Sequence, residues 1–280
     1  MRTAIVTDST AYLTDEEIQQ YGIHIVPLTV NIEGQLYDEG QDISYEQFYD
    51  KVRGAKQFPK TTQPPIGKFV ELFEQLAQDY DAVITIHLSS GISGTYQGAV
   101  QAGEMVEGLD VYAFDSTVAA ALQGYFVLTA AKMASEGAAP EQIMAQLSKQ
   151  RETSRACIVV DDLGHLQRGG RLSAAAALIG GLLQVKPILH FVDGKIVPAE
   201  KVRTRKKALK RVGEILGEDA AKFGAINAAV IHANCEDEAR AYMDELAAQY
   251  PNITFKLSYF GPVVGTHLGE GSIAIGWHAK

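Results

Sequence analysis

"AVITIHLSSGISGTYQGAV", residues 82–100, holds the reading that decides the fold. Ala82–Ile86 is an unbroken apolar run, the length of a strand buried on both faces. Residues 87–96, "HLSSGISGTY", are rich in glycine and hydroxyls. From Thr95 to Val106 the pattern is helical. Strand, tight turn and helix therefore follow one another directly. The same order recurs nearby, with Thr3–Thr7, Ile23–Val30 and Leu109–Phe114 as strands. The helices between them are marked by Thr14 with Glu17, by Ser44 with Gln47, by Gly67–Gln78 and by Val118–Ser135. Gly22 is the stop for the first of them, and "NIEGQLYDEG" turns at Gly34 in a hairpin-like excursion. Alternation of this kind predicts a doubly wound, Rossmann-like parallel sheet with helices over residues 1–153.

The second half is patterned differently. Arg155–Val160 and Lys186–Val192 are strands, and Lys195–Pro198 folds back across "DG" as a hairpin. Ala225–His232, Thr254–Tyr259 and Ser272–Trp277 are further strands with helices among them. Residues 154–280 are therefore expected to form an α+β domain with a mixed or antiparallel sheet. The whole chain is read as an α/β protein of two domains.

Composition narrows the function classes. The chain has 280 residues, 46% hydrophobic and 21% charged, and can bury a sizeable core. No apolar run reaches the ~20 residues of a membrane span. The N-terminus lacks the zones of a signal peptide, so a cytoplasmic location is expected. Cys157 and Cys235 lie in or beside apolar runs and suit buried thiols in a reducing compartment. A net charge of −9 argues against nucleic acid as a partner. Against this background "KVRTRKKALKR", 201–211, carries seven positive charges in eleven residues. It is either a solvated helix face or a docking patch for an acidic partner or phosphate.

A hydroxyl-rich turn after a strand either attacks a substrate or holds a ligand. The nucleophile elbow G-x-S-x-G is missed by one residue at Gly91-Ile92-Ser93-Gly94. No Gly-Lys-Ser/Thr follows, so there is no P-loop, and G-x-G-x-x-G is absent. Histidines and carboxylates show no metal spacing. No metal or cofactor is expected. Holding fits better, since a hydroxyl-rich turn at a helix N-terminus offers N–H and O–H donors to a carboxylate or phosphate. "TDST" (7–10) and "FDST" (114–117) are read as caps. "KTTQPP" (60–65) brings two hydroxyls on extended backbone. "RGGRLS" (168–173) brings arginines around a Gly-Gly bend, and "GPVVGTHLGEGSIAIGW" (261–277) sets His267 among glycines just before a strand.

Taken in order, "VTDST", "KTTQP", "HLSSGISGTY", "RGGRLS", "KPIL…DGKI" and the closing G-T-H-x-G-x-G resemble the DegV family, the fatty-acid-binding subunits (FakB type) of bacterial fatty acid kinase. The family commonly has Ser where this chain has Thr62, and the hydroxyl is kept. The resemblance implies a bacterial lipid-binding protein of two α/β domains with one long-chain fatty acid between them. It implies that Thr61 and Ser93 bind the carboxylate with His267 beside them, that Thr62 and Gly94 complete the shell, and that Arg171 stands near the mouth. It also implies a binding subunit without its own nucleotide site. Such a subunit presents the acid to a separate ATP-dependent kinase subunit, which makes acyl phosphate for phospholipid synthesis. The alternative is a serine acyl hydrolase or transferase using Ser93 and His267.

Three further segments are assigned expectations. "AAAALIGGLL" (174–183), with Leu178, Ile179 and Leu182, is either a buried core helix or a cover that opens at transient membrane contact. Ala121, in "STVAAALQG" (116–124), is either tight packing or room for a tail. In the basic segment, Arg203, Lys207 and Lys210 would share one helical face and dock the kinase subunit.

Overall fold

The computed structural model describes residues 2–172 and 186–280. Leu178, Ile179, Leu182 and the rest of 173–185 lie outside the described residues. Along the first half run β1 (Thr3–Asp8), a 3-10 turn (Ser9–Ala11), α1 (Asp15–Tyr21), β2 (His24–Val26), β3 (Thr29–Ile32), β4 (Gln35–Asp38) and α2 (Tyr45–Gly54). Then come β5 (Lys60–Thr62), α3 (Ile66–Leu76), β6 (Ala82–His87), α4 (Thr95–Gly103), β7 (Asp110–Asp115), α5 (Ala120–Ser135) and α6 (Pro140–Thr153). The second half contains β8 (Arg155–Val159), α7 (Gly164–Arg168), β9 (Lys186–Val192), β10 (Lys195–Val202) and α8 (Arg205–Phe223). It ends with β11 (Ile226–His232), α9 (Glu236–Gln249), β12 (Ile253–Tyr259), α10 (Pro262–Leu268) and β13 (Ile273–Ala279).

β2, β1, β6 and β7 form a parallel sheet in that order. Every residue of β6 is buried, as a strand covered on both faces must be. The Thr14/Glu17 and Ser44/Gln47 capping boxes both form, and Gly22 ends α1 in the left-handed region. The apolar run from Ile23 to Val30 is not one strand. It divides at Pro27-Leu28, with β2 in the parallel sheet and β3 in a separate antiparallel sheet, β4-β3-β5. Pro27 has no N–H to give a ladder, which suits a crossing between sheets. Thr61 is thereby paired opposite Val30.

The second sheet has six strands in the order β10-β9-β8-β13-β11-β12. It is mixed, antiparallel except for β11 with β12. β9 and β10 turn over Asp193 and Gly194, both at positive φ, as a tight hairpin requires. One apolar cluster joins the halves, setting Tyr12, Phe48, Tyr49 and Ala121 against Ile158, Leu189, Ile231 and Phe260.

The basic segment departs from its expected geometry. α8 begins at Arg205, and Thr204 caps it by accepting the Lys207 N–H. Arg203 therefore precedes the helix and does not share a helical face with Lys207 and Lys210. Much of the charge is already matched. Arg205 pairs with Glu238 and Asp161, Arg211 with Glu200 and Glu218, and Lys210 lies 3.9 Å from Glu214. Lys201, Arg203, Lys206 and Lys207 are exposed and have no carboxylate within ion-pair distance among the described residues.

Candidate ligand-binding site

The turn after β6 is anchored by a buried network that begins at Asp8. Its carboxylate accepts the Leu88 N–H at 3.0 Å and the Thr10 N–H at 3.0 Å, and it meets His87 Nδ1 at 2.9 Å. The other ring nitrogen of His87 meets Thr85 Oγ1. Burial alone would raise the Asp8 carboxyl, but the bonds from His87, Thr10 and Leu88 outweigh it and hold Asp8 below its ordinary value. Asp8 and Asp115 thus act as local anchors, since Asp115 accepts the N–H groups of Thr117 and Ser90. His87 is wholly buried, and both of its ring nitrogens are engaged, by Asp8 and Thr85.

The hydroxyls of the turn have separate tasks. Ser89 Oγ donates to the Gly194 carbonyl at 2.7 Å, locking the turn onto the tip of the β9–β10 hairpin. Here glycine is needed twice. A Cβ at Gly91 would lie 2.4 Å from the Gly194 carbonyl oxygen, and one at Gly194 would lie 2.4 Å from Ser89 Oγ. Ser90 is held by Asp115. Ser93 meets Thr95 Oγ1 at 2.8 Å and faces a cavity. Gly94 is the N-cap of α4, and a Cβ there would strike Gln63 Oε1.

His267, set among glycines, lies in the last turn of α10. Pro262 at the start of that helix, where a missing N–H costs nothing, and Gly269 after its end explain why seven residues suffice. The helix is held by residues of the first half. Glu39 Oε1 accepts the Val263 N–H at 2.8 Å, and Tyr12 Oη accepts the Val264 N–H at 3.3 Å. Buried Glu39 also accepts from Ser9 Oγ at 2.6 Å and from Tyr12 Oη at 3.1 Å. Burial is the largest influence on Glu39 and pushes its carboxyl up to about 7.

His267 Nε2 lies 2.8 Å from Thr61 Oγ1. Its Nδ1 is buried without a hydrogen-bond partner among the described residues. Gly169 packs so closely that a Cβ there would come within 2.2 Å of that nitrogen. Burial, then the nearby Arg171 and His165, lower His267 to about 4, so the ring is neutral at pH 7. Arg171 is half-buried. It donates from Nε to the Ile92 carbonyl and from Nη1 to the Gly169 carbonyl, and burial lowers its pKa.

Thr61, Thr62, Ser93, Arg171 and His267 all line one cavity. The rest of its wall is almost wholly apolar, with Leu28, Ile158, Phe191, Ile231, Phe260 and Val263 prominent. Gly94 stands behind Ser93 and Gln63, which do line it. Ala121 is buried in the joint core, while its neighbours Ala120 and Leu122 reach the cavity wall. Ser93 and His267 are not joined as a nucleophile and its base, because each is bonded to a threonine instead. The hydrolase alternative is therefore not favoured. Among the described residues no cluster of potential metal ligands occurs, and no helix is long and apolar enough to cross a membrane.

Gln63 was within reach of sequence reasoning, since it directly follows the two threonines. Leu28, Phe191 and Val263 carried no signal that separates a cavity wall from an ordinary core.

Fold and cavity together define an α/β protein with a site that is polar on one part of its wall and apolar on the rest. A family model described as "Uncharacterised protein, DegV family" matches residues 2–280, and the chain belongs to the DegV family. It is 52% identical to Protein DegV of Bacillus subtilis, over all of both chains. It is 51% identical to the DegV domain-containing protein lmo2514 of Listeria monocytogenes, over all of this chain and 99% of that one. The structure of Bacillus subtilis DegV, described as a fatty acid binding protein, superposes with a TM-score of 0.95 over all of both chains. A DegV family protein from Thermus thermophilus, described by its fatty acid binding, is 30% identical, with a TM-score of 0.93 over all of both chains.

Proposed function

We propose that this protein binds one long-chain fatty acid between its two domains, residues 1–153 and 154–280. Thr61, Thr62, Ser93 and His267 hold the carboxylate, Gly94 completes the shell from behind Ser93, Arg171 stands at the mouth, and the tail fills the apolar part of the cavity. The single observation that carries this is the cavity itself, in which neutral O–H and N–H donors from three distant segments meet a wall of aliphatic and aromatic groups. Burying a sixteen-carbon tail yields about 12 kcal/mol gross at ~0.8 kcal/mol per methylene. Ordering the ligand takes back a large part. A closed cavity with a head-group clamp hides the tail and leaves the carboxyl end addressable. Mass spectrometry of an organic extract of the purified protein tests this. A fatty acid at about one per chain supports it, and protein free of lipid refutes it.

The further role is to present the bound acid to a separate ATP-dependent kinase subunit for acyl-phosphate formation, with brief contact to a membrane for exchange. The absence of a nucleotide-binding motif from the sequence supports a division of labour. The exposed charges of Arg203 and Lys207, without an ion-pair partner among the described residues, and Lys210 nearby support an acidic docking partner. Reconstitution with the kinase subunit and ATP tests this, by the appearance of acyl phosphate.

A further inference from the structure

A second, more open hollow lies beside the hairpin of β9 and β10. Its rim is polar, including Thr117, Ser148, Arg151, Arg155 and His190. Two residues line both this groove and the apolar cavity, Ala156 and Phe191. Phe191 is only partly buried, and it packs against both the joint core and the core beneath the parallel sheet. On the hairpin it pairs with Ile196, another cavity residue. Ala156 pairs with Gly276, where a Cβ would already touch Leu122. Ala156 and Phe191 are therefore the residues at which cavity and groove meet.

We infer that Phe191, with Ala156, is the wall that limits the length of acyl chain the cavity accepts. This rests on the fatty-acid reading above. A chain that exceeds the cavity must displace the ring and push its methyl end toward a polar groove, losing the burial that favours binding. One or two methylenes in an apolar pocket are discriminated by about tenfold or more. Without the ring the two hollows join, and the penalty on long chains falls. A bulkier residue at 156 thickens the partition and moves the limit the other way.

The test offers purified protein an equimolar mixture of straight-chain fatty acids of graded length and reads the bound profile by mass spectrometry. Phe191→Ala should raise the ratio of chains longer than the wild-type optimum to shorter ones by about tenfold. Phe191→Leu should give a smaller change of the same sign, and it keeps the test open if the alanine variant fails to fold. Ala156→Leu should shift the profile to shorter chains. Loaded variants with the parental profile would overturn the wall at Phe191 and leave the fatty-acid reading standing. Parent protein that takes up no fatty acid would overturn both.

Discussion

Thr61 Oγ1 and His267 Nε2 lie 2.8 Å apart although 206 residues separate them in the chain. The direction of that bond decides what the site can offer. With the proton on Nε2, His267 donates to Thr61, and the threonine hydroxyl is free to donate to a ligand oxygen. A carboxylate there also counters the burial and the Arg171 charge that keep His267 near 4. Binding of an anion should therefore raise the His267 pKa toward or above its ordinary 6.5. Ring signals followed by NMR against pH should titrate near 4 in lipid-free protein and higher when loaded. The same midpoint in both forms would place the carboxylate elsewhere.

Ser93 should matter to ligand and not to fold. Among the described residues its hydroxyl bonds only to Thr95, and it faces the cavity. Ser93→Ala removes one neutral donor, which weakens retention of fatty acid by ~0.5–1.5 kcal/mol, with more if a buried carboxylate oxygen is left unpaired. The melting temperature of lipid-free protein should stay near the parental value. Parental affinity in the variant would remove Ser93 from the clamp.

Glu39 gives the fold a pH dependence of its own. Its carboxyl is raised from 4.5 to about 7, chiefly by burial, with Asp8 adding to the rise and the donors Ser9, Val263 and Tyr12 opposing it. The folded state thus prefers the protonated form. The stabilisation is fully present below about pH 4.5 and is lost as pH rises through 7. The amount is on the order of 3 kcal/mol at one pKa unit per 1.36 kcal/mol. Denaturant melts across this window should show Glu39→Gln gaining on the parent as pH rises. A constant difference at every pH would mean that Glu39 is ionised throughout.

Charge reversal separates docking from binding. Arg203→Glu and Lys207→Glu change exposed groups far in sequence from the clamp. They should slow phosphorylation of bound fatty acid and flatten its dependence on salt, because steering acts on association and is screened beyond ~8 Å at physiological ionic strength. Lipid content of the purified variants should match the parent. Unchanged turnover and salt dependence would leave these residues as a solvated surface.

What could be read from the sequence was what the chain encodes locally. The Thr14 and Ser44 boxes, the run at Ala82–Ile86 and the "DG" turn each depend on a few neighbouring residues. The split of residues 23–30 between two sheets depends on which partner each strand meets, and no local pattern carries that. α6 was overlooked. Its interior mixes alanine, glutamine and charged residues with few apolar ones, and its N-cap is an alanine, although Pro140 at its first turn was a usable sign. Thr61, Ser93 and His267 stood out because hydroxyls and a histidine among glycines are unusual. Leu28, Phe191 and Val263 could not, because a surface that lines an apolar cavity has the same chemistry as one that lines a core.

The latch of Ser89 and Gly91 onto Gly194 has a thermodynamic consequence for the chain as a whole. The turn that carries Ser93 is shaped by a hairpin from the other half, so a chain whose halves have parted has no complete site. Any ligand held there favours the joined state over all parted ones and acts as a reversible cross-link. Its contribution grows as RT ln(1 + [L]/Kd), about 2.7 kcal/mol at a hundredfold excess over Kd. Ligand supply would then set how firmly the halves stay joined as well as how many sites are filled.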